Sequence, residues 1–340
     1  MVIEIKPKTI LMILIVISLF SIAMELKTVF VLLFFAFILY SAFLPIVNFL
    51  RSKDFSKTFS IITVFILTFI ILVLLVTLVS IPLFEQFNVF YQNLPTIIER
   101  IIAWISGTFP QFGQQLNTDE IIKEIMSSTN TDSVVSIISN LGNIFSSSMQ
   151  FLFNSFIVLV MSGFMLSLNI DQRDVLKILN KLGIKDTQRF QLIFFKIVTK
   201  VGMWFRSQLI ICLTSAIVTT LLFTVLGFEF AIPMGIIAGL FELIPNFGTA
   251  LQIPLASVLA LATGEEPILV IIYLVAVLIW QQIQGNFIVP KLMHKTVGLN
   301  PLVTLFAVLS GTTLLGAAGA VLAIPVAAIL QISLEEYFSR

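Results

Sequence analysis

A carboxylate stands inside a strongly apolar part of the sequence at Glu242, in the stretch ELIPNFGTALQIPLA. A charged side chain at the centre of a bilayer costs about 2.5–3.5 kcal/mol on insertion scales, so it is expected to face a cavity or a partner. Glu242 could relay a proton or a cation, hydrogen-bond a solute, or cap the amides that Pro245 frees. The residue type therefore predicts a polar site at membrane depth and leaves these three roles open.

Two groups of helix-breaking residues are further candidates, because an interrupted helix exposes backbone amides and carbonyls that a solute can use. The alternative reading is close packing of small residues between helices. The first group is Pro245, Asn246 and Gly248, and the second is Gly311, Gly316 and Gly319.

Amide side chains form a third set of candidates. Gln281, Gln282, Gln284 and Asn286 lie where one apolar run ends, and Gln208 stands where another begins. Amides both donate and accept hydrogen bonds, so they suit a neutral, hydroxyl-rich solute. They could equally cap the ends of the helices that carry them.

Composition defines the class of protein that must position these residues. Of the 340 residues, 58% are hydrophobic and only 11% are charged, and the mean hydropathy is +1.08. Soluble domains are roughly 45–50% apolar and about 25% charged. The chain is therefore expected to be a polytopic, all-α membrane protein, and its net charge of +1 gives no reason to invoke nucleic acid.

Enzyme chemistry finds little support in the sequence. His294 is the only histidine, which excludes an H-E-x-x-H motif and multi-histidine metal sites, and Cys212 is the only cysteine. Neither a G-x-S-x-G elbow nor a phosphate-binding glycine loop occurs. The sequence predicts no cofactor, no metal site and no enzymatic activity, and it predicts no site for ATP.

Six stretches are long and apolar enough to suggest membrane spans, which need about 20 residues each. The first is read as an uncleaved span, although a signal peptide would share its pattern. Two further apolar regions, 231–263 and 301–332, are interrupted. The six stretches are residues 9–24, 28–50, 58–83, 151–168, 208–228 and 268–283.

The distribution of Lys and Arg predicts the orientation, since cytoplasmic loops carry the excess of positive charge. Residues 51–57 and 169–207 are rich in Lys and Arg and are expected inside, whereas residues 84–150 are mostly acidic and are expected outside. The alternation of these loops places both termini in the cytoplasm.

These boundaries divide the chain into seven parts. Apolar residues at three- and four-residue intervals predict amphipathic helices in the external segment and a pair of helices in the cytoplasmic one. The parts are N-terminal spans (1–83), an external helical segment (84–150), a span (151–168), a cytoplasmic helical pair (169–207), two repeats (208–263 and 264–333) and a cytoplasmic tail (334–340).

The two interrupted regions resemble each other at an offset of 71 positions, from Leu243 to Leu314. LIPNFGTALQIPLASVL then aligns without gaps with LLGAAGAVLAIPVAAIL, and Pro245 meets Gly316. Each copy follows one span, and the spans run in opposite directions. The sequence thus predicts inverted repeats with broken helices, which are typical of the binding sites of secondary transporters.

Length favours re-entrant hairpins over pairs of full crossings in these regions. Residues 231–243 would form about 20 Å of helix before the break, less than the hydrocarbon core of about 30 Å. Non-helical backbone at that depth persists only inside protein or beside a wet cavity. Each connecting loop lies on the same side of the membrane whether these regions are hairpins or pairs of full crossings. The charge pattern therefore does not decide between the two arrangements.

At these residues the chain is similar to the autoinducer-2 exporter family of bacterial multipass permeases. The shared motifs are I-P-x-x-G at residues 244–248, Q-x-x-x-N-x-x-x-P at 282–290, VGLNPL at 297–302 and the glycine run that ends in I-P at 311–325. Many members carry an aromatic residue and a further proline near the break, where this chain has Asn246 and Thr249. That departure bears on the substrate.

The resemblance implies an activity, a location and an assembly state. It implies export of autoinducer-2 from a bacterial inner membrane or, for some members, exchange of sodium or lithium for protons. It also implies a homo-oligomer, with a pentamer as the best guess. Three functional hypotheses follow: export of a small polar solute by alternating access, cation/proton antiport through Glu242, and a membrane scaffold that works through its external segment.

Overall fold

The computed structural model describes residues 26–108, 131–168, 187–244, 248–293 and 298–338, and these are all helices and short connections, without a strand. The helices are α1 (Lys27–Arg51), α2 (Lys57–Thr108), α3 (Thr131–Ser167), α4 (Thr187–Leu226), α5 (Ala231–Phe241), α6 (Gly248–Ala262), α7 (Pro267–Ile283), α8 (Val289–Met293) and α9 (Pro301–Phe338). One π-helical turn, Gln284–Ile288, joins α7 to α8.

Within the described residues, six helices are long and apolar enough to cross a membrane, which confirms the predicted all-α, multipass class. They carry five of the six predicted spans, and the sixth apolar helix is α9. The predicted span at residues 9–24 lies outside the described residues. The candidate spans are Lys27–Arg51, Lys57–Ser80, Ser147–Ser167, Thr187–Leu226, Pro267–Met293 and Leu302–Glu336.

Three spans continue as helix beyond the predicted membrane boundaries. The amphipathic stretches TIIERIIAWI and SVVSIISNLGNIF belong to α2 and α3, which have 52 and 37 residues. Similarly, α4 has 40 residues and passes through the predicted division at residue 208. The apolar face of the predicted amphipathic helix at the start of α4 packs on protein, because Val198 and Val201 are buried against α1 and its neighbours. The first helix of the predicted cytoplasmic pair lies outside the described residues.

A pair of glycines allows α5 to lie close to α4. A Cβ at Gly235 would lie 2.6 Å from the Ala216 carbonyl oxygen, and one at Gly239 would lie 2.7 Å from that of Cys212. Successive glycines on α5 therefore contact successively earlier residues on α4, so the helices are antiparallel. Small residues at four-residue spacing permit this backbone approach, and it brings the end of α5 beside the middle of α4.

Both interrupted regions are broken where the repeat alignment predicts it. The first, which we call the first hairpin (α5 and α6), leaves helical structure after Phe241 and resumes at Gly248. The second hairpin is α9 itself, whose arms meet at Gly316 (φ 62°, ψ −144°). Gly311 and Gly319 contact each other through their backbones. Residues eight apart are about 12 Å apart in a straight helix, so the arms of α9 fold back on each other.

The core lies along α4, which packs against α1, α5, α7, α8 and α9. At one end, Phe223 and Phe228 make edge-on and tilted contacts with the ring of Tyr273 on α7. At the other end, Gly202 lies directly on the carbonyl oxygen of Ser41 in α1. That carbonyl has no N–H donor four residues later in its own helix, because that residue is Pro45. This central helix carries one side of the candidate site.

Candidate functional site

Glu242 follows the last residue of α5, and only 9% of its surface is exposed. The side-chain amide of Gln208 on α4 donates to the Glu242 backbone carbonyl at 2.6 Å. Gln284 donates to the Glu242 carboxylate oxygen Oε1 at 2.8 Å and accepts from the Ser215 hydroxyl at 2.9 Å. We call these four residues the Glu242 network. It joins α4, the first hairpin and the end of α7.

The π-helical turn determines where Gln284 points. Gln284 begins that turn and is buried, whereas Gly285, Asn286 and Phe287 are exposed. Tyr273 and Val277 form the buried face of α7, and Gln284 continues the same face. Single π-helical turns are rare and occur often at functional sites, and here the turn carries the one amide of its helix end that reaches Glu242.

Gly248 leaves the space that the carboxylate occupies. A Cβ at Gly248 would contact carboxylate oxygen Oε2 of Glu242 and would lie 2.9 Å from the Glu242 Cα. Gly248 is also the first residue of α6. The carboxylate therefore lies at a helix N-terminus, where the helix dipole favours negative charge. The sequence motif that ends in Gly248 is thus explained by the space that Glu242 needs.

A second buried network lies further along α4. Gln252 of α6 donates to the Thr219 hydroxyl at 2.9 Å and to the Tyr273 hydroxyl at 3.0 Å. Thr219 and Ser215 are one helical turn apart, on the same face as Gln208. Buried polar groups thus line about 16 Å of α4, between the first hairpin and α7.

The structure brings some of the predicted site residues together and separates others. Gln208, Glu242, Gln284 and Gly248 form one cluster. Gln282 and Asn286 are exposed and bond to each other at 3.2 Å, and Gln281 is half-buried. Pro245 and Asn246 lie outside the described residues, and the Gly311, Gly316 and Gly319 group lies in the second hairpin.

Four buried polar residues of the two networks escaped the sequence reasoning: Ser215, Thr219, Gln252 and Tyr273. Of these four, Gln252 could have been identified from the sequence, because it is a glutamine within the apolar stretch ELIPNFGTALQIPLA. Ser215 and Thr219 are single hydroxyl groups in an apolar helix, where such residues commonly bond to their own backbone. Tyr273 is an aromatic residue in an apolar helix, and such a residue is expected to pack in the core.

The donor set of this site is dominated by neutral groups. Among the described residues, no three His, Cys, Asp or Glu side chains lie close enough to hold a metal ion. What the site offers is one carboxylate with amide and hydroxyl groups. Such groups hydrogen-bond a polar solute, and their oxygens can also contact a monovalent cation.

A cleft of about 1100 Å³ lies elsewhere, between the start of α1 and the second hairpin. Its walls are mainly apolar side chains, including Phe30, Phe34, Phe306 and Leu330. It contains no residue of the two polar networks, so it is separate from the candidate site.

In the described part of the chain, five long apolar helices, two interrupted hairpins and the buried polar networks along α4 define a multipass helical protein of the transporter class. The sequence profile of the AI-2E family transporter matches residues 9–339. The chain belongs to this family and is a membrane transporter, which confirms the resemblance that the motifs predicted.

Three named relatives illustrate the match. Putative transport protein YueF of Bacillus subtilis (strain 168) is 24% identical over 314 residues, which cover 90% of this chain and 83% of YueF. Putative transport protein YrrI of the same organism is 29% identical over 136 residues, covering 40% of this chain and 38% of YrrI. AI-2 transport protein TqsA of Escherichia coli (strain K12) is 30% identical over 128 residues, covering 37% and 36% of the two chains.

Proposed function

We propose that this protein exports a small polar metabolite such as autoinducer-2 across the bacterial inner membrane by alternating access. The observation that carries the proposal is the Glu242 network, a set of buried hydrogen-bonding groups at the break of the first hairpin. Polar groups inside an apolar bundle mark the path of a solute. The absence of an ATP-binding motif from the sequence leaves an ion gradient or the solute's own gradient as the energy source.

The lengths of the helices support re-entrant hairpins in this mechanism. Helices α5 and α6 have 11 and 15 residues, or about 16 Å and 22 Å, against a core of about 30 Å. The first hairpin would enter from outside and the second from the cytoplasm, with both termini cytoplasmic. Their breaks would then meet near the bilayer midplane, where transporters of this kind bind their solutes.

The chemistry of the site and one relative support the substrate class. The amides of Gln208, Gln252 and Gln284 and the hydroxyls beside them suit a neutral, hydroxylated molecule. TqsA is named as an AI-2 transport protein, and it is similar to about a third of this chain. By the same family resemblance we propose a homo-oligomer, with a pentamer as the expected copy number, which mass measurement of the detergent-solubilised protein would test.

Cation/proton antiport is the second candidate function, because one specific observation favours it. Glu242 is a buried carboxylate, and within the described part of the chain its one side-chain donor is Gln284, on Oε1. A carboxylate in such a place can bind a proton in one state and a sodium or lithium ion in another. Antiport would use Glu242 as its titrating group.

Flux measurements on purified protein in sealed vesicles separate the two functions. Wild-type protein is expected to carry autoinducer-2, and the Glu242→Gln variant is expected to retain that flux within a few-fold. The amide keeps an oxygen that can accept from Gln284, and neutral transport needs no proton exchange. In an antiporter, the same variant would abolish proton movement driven by a sodium or lithium gradient. Cation-dependent proton flux in the wild type without autoinducer-2 flux would establish antiport instead.

A further inference from the structure

We propose that Trp204 and Gln208 form the subsite that receives a hydroxyl group of the transported solute, and that the solute is therefore neutral and hydroxylated rather than a cation. The inference rests on the proposed transport function and specifies its substrate class. It assigns a binding role to Trp204, which the Glu242 network does not include.

Two buried polar atoms carry the inference. Among the residues that the structure describes, the indole nitrogen of Trp204 and the side-chain oxygen of Gln208 have no hydrogen-bond partner, and both residues are only 2% exposed. Buried polar groups in folded proteins are almost always paired, because an unpaired one loses its hydrogen bonds to water without replacement. A donor and an acceptor left unpaired at neighbouring positions are the expected mark of a ligand site.

The identity of the free atom on Gln208 follows from its other bond. Its amide nitrogen donates to the Glu242 backbone carbonyl at 2.6 Å. A carbonyl accepts only from a donor, so this contact requires the NH2 group there and leaves the oxygen Oε1 free. Trp204 precedes Gln208 by four residues on α4, so the two side chains are neighbours on one helix face.

One hydroxyl group satisfies both atoms at once. Its hydrogen is donated to Gln208 Oε1, and its oxygen accepts from the Trp204 N–H. A sodium ion bound to Gln208 Oε1 would leave the indole N–H without an acceptor, and the positive end of a neighbouring N–H dipole repels a cation. The pair therefore discriminates in favour of a neutral solute with hydroxyl groups.

The position of Trp204 connects this subsite to both hairpins. Its ring belongs to a buried apolar cluster with Val308 on one arm of the second hairpin and Ala320, Ala323 and Ile324 on the other. Ile244, at the break of the first hairpin, packs against the same cluster. A solute held at Trp204 would thus lie where both hairpins meet, with apolar walls for its carbon atoms.

Tryptophan fluorescence can report on this subsite directly, because the chain has three tryptophans. Replacing Trp104 and Trp280 by Phe leaves Trp204 as the only tryptophan, which can be excited selectively at wavelengths that tyrosine does not absorb. Autoinducer-2 is expected to shift its emission to longer wavelength as the indole N–H gains a hydrogen bond, whereas sodium chloride is expected to leave the emission unchanged. A shift with sodium chloride in place of autoinducer-2 would overturn the inference.

Transport kinetics provide the second arm of the test. Trp204→Phe keeps an aromatic ring and removes the donor, so it is expected to raise the KM for autoinducer-2 about tenfold with kcat nearly unchanged. Trp280→Phe is the matched control, since it removes another buried unpaired indole N–H that lies on a different helix. Equal effects of the two variants would overturn the assignment to Trp204.

Different results would contradict the proposed export function and the proposed Trp204–Gln208 subsite. Wild-type flux of autoinducer-2 with no emission change and an unaltered Trp204→Phe variant would leave the transport function standing and remove the subsite. An emission change without any flux would keep the subsite and remove the proposed export.

Discussion

At the scale of single residues, the carboxylate of Glu242 has little room to move. Gln284 bonds one carboxylate oxygen, Gln208 holds the backbone carbonyl, and Gly248 lies against the other carboxylate oxygen. The site therefore depends on a missing side chain at Gly248 as much as on the polar groups. Interiors packed to crystal-like density do not absorb an added methyl group without displacement.

Gly248→Ala tests this dependence. The added Cβ would push the Glu242 carboxylate away from Gln284, so we expect autoinducer-2 transport to fall about tenfold or more, measured as flux into vesicles. Gly107→Ala is the control, because a Cβ there meets no atom within 4 Å, and it should transport like the wild type. Normal flux in the Gly248→Ala variant would show that Glu242 does not need its present position.

Thr219→Val tests the second polar network. Valine preserves the shape of threonine but removes the acceptor of Gln252, so we expect the free energy of unfolding to fall by about 1 kcal/mol. Thr224→Val on the same helix is the matched control. The Thr224 hydroxyl is exposed and bonds only to the Thr220 carbonyl in the structure. Thermal unfolding in detergent would measure both variants, and equal midpoints would contradict a stabilising role.

The residue types predicted part of this site, for a physical reason. Glu242, Gln208 and Gln284 stand out because amides and carboxylates are costly in lipid. Ser215 and Thr219 do not stand out, because serine and threonine in helices usually bond to a carbonyl one turn earlier, as Thr220 and Ser257 do here. Which hydroxyl points to a partner on another helix depends on packing that the sequence does not display.

At the scale of elements, the second hairpin depends on one backbone conformation. Gly316 has φ 62° and ψ −144°, a region that is essentially restricted to glycine because a Cβ would clash with the backbone. The arms on either side then meet where Gly311 and Gly319 touch. Together these three glycines form the turn and the contact that make α9 a hairpin.

Gly316→Ala should therefore destabilise the protein by about 1–3 kcal/mol through backbone strain alone. Apart from the local backbone of Gly316 and its two chain neighbours, no atom of the described residues lies within 4 Å of a Cβ at this position, so contact with the rest of the protein adds nothing. The comparison with Gly285→Ala, which meets no atom and has an ordinary φ, isolates the strain. Unfolding temperatures of the two variants would provide the measurement, and an unaffected Gly316→Ala protein would argue for a continuous α9.

The repeat alignment predicted both helix breaks, whereas helix lengths were harder to predict. A proline or a glycine marks each break in the sequence, and the aligned positions Pro245 and Gly316 identify them. The extensions of α2, α3 and α4 carry no such boundary, because amphipathic and spanning stretches share the same helical period. The π-helical turn at Gln284 left no sequence signal at all, so the burial of Gln284 and the exposure of Gln282 had to be observed.

At the scale of the whole molecule, the start of α4 contacts the end of α9. Lys196 near the start of α4 contacts Glu336 near the end of α9 at 3.1 Å, and Arg189 bonds the Glu336 backbone carbonyl. The end of the second hairpin therefore lies beside the positively charged start of α4. Because the two ends are in contact, we expect both on the same side of the membrane, and the Lys and Arg distribution predicts that this side is the cytoplasm.

The depth of the hairpin tips is the whole-molecule prediction. In a Cys212→Ala background, which removes the only cysteine, spin labels at Thr249 and Leu315 would lie next to the two breaks. Re-entrant hairpins place both labels near the bilayer midplane, so we expect high collision rates with oxygen relative to a water-soluble nickel reagent. Pairs of full crossings would place the two labels at opposite aqueous surfaces, and that result would contradict the re-entrant arrangement.

The unbroken course of α4 has a mechanical consequence. One stiff rod touches the first hairpin through the glycines of α5 and the second hairpin through the ring of Trp204. In the proposed alternating access, a tilt of such a rod would act on both hairpins at once, because it contacts both. A movement of one hairpin would then be transmitted to the other through α4.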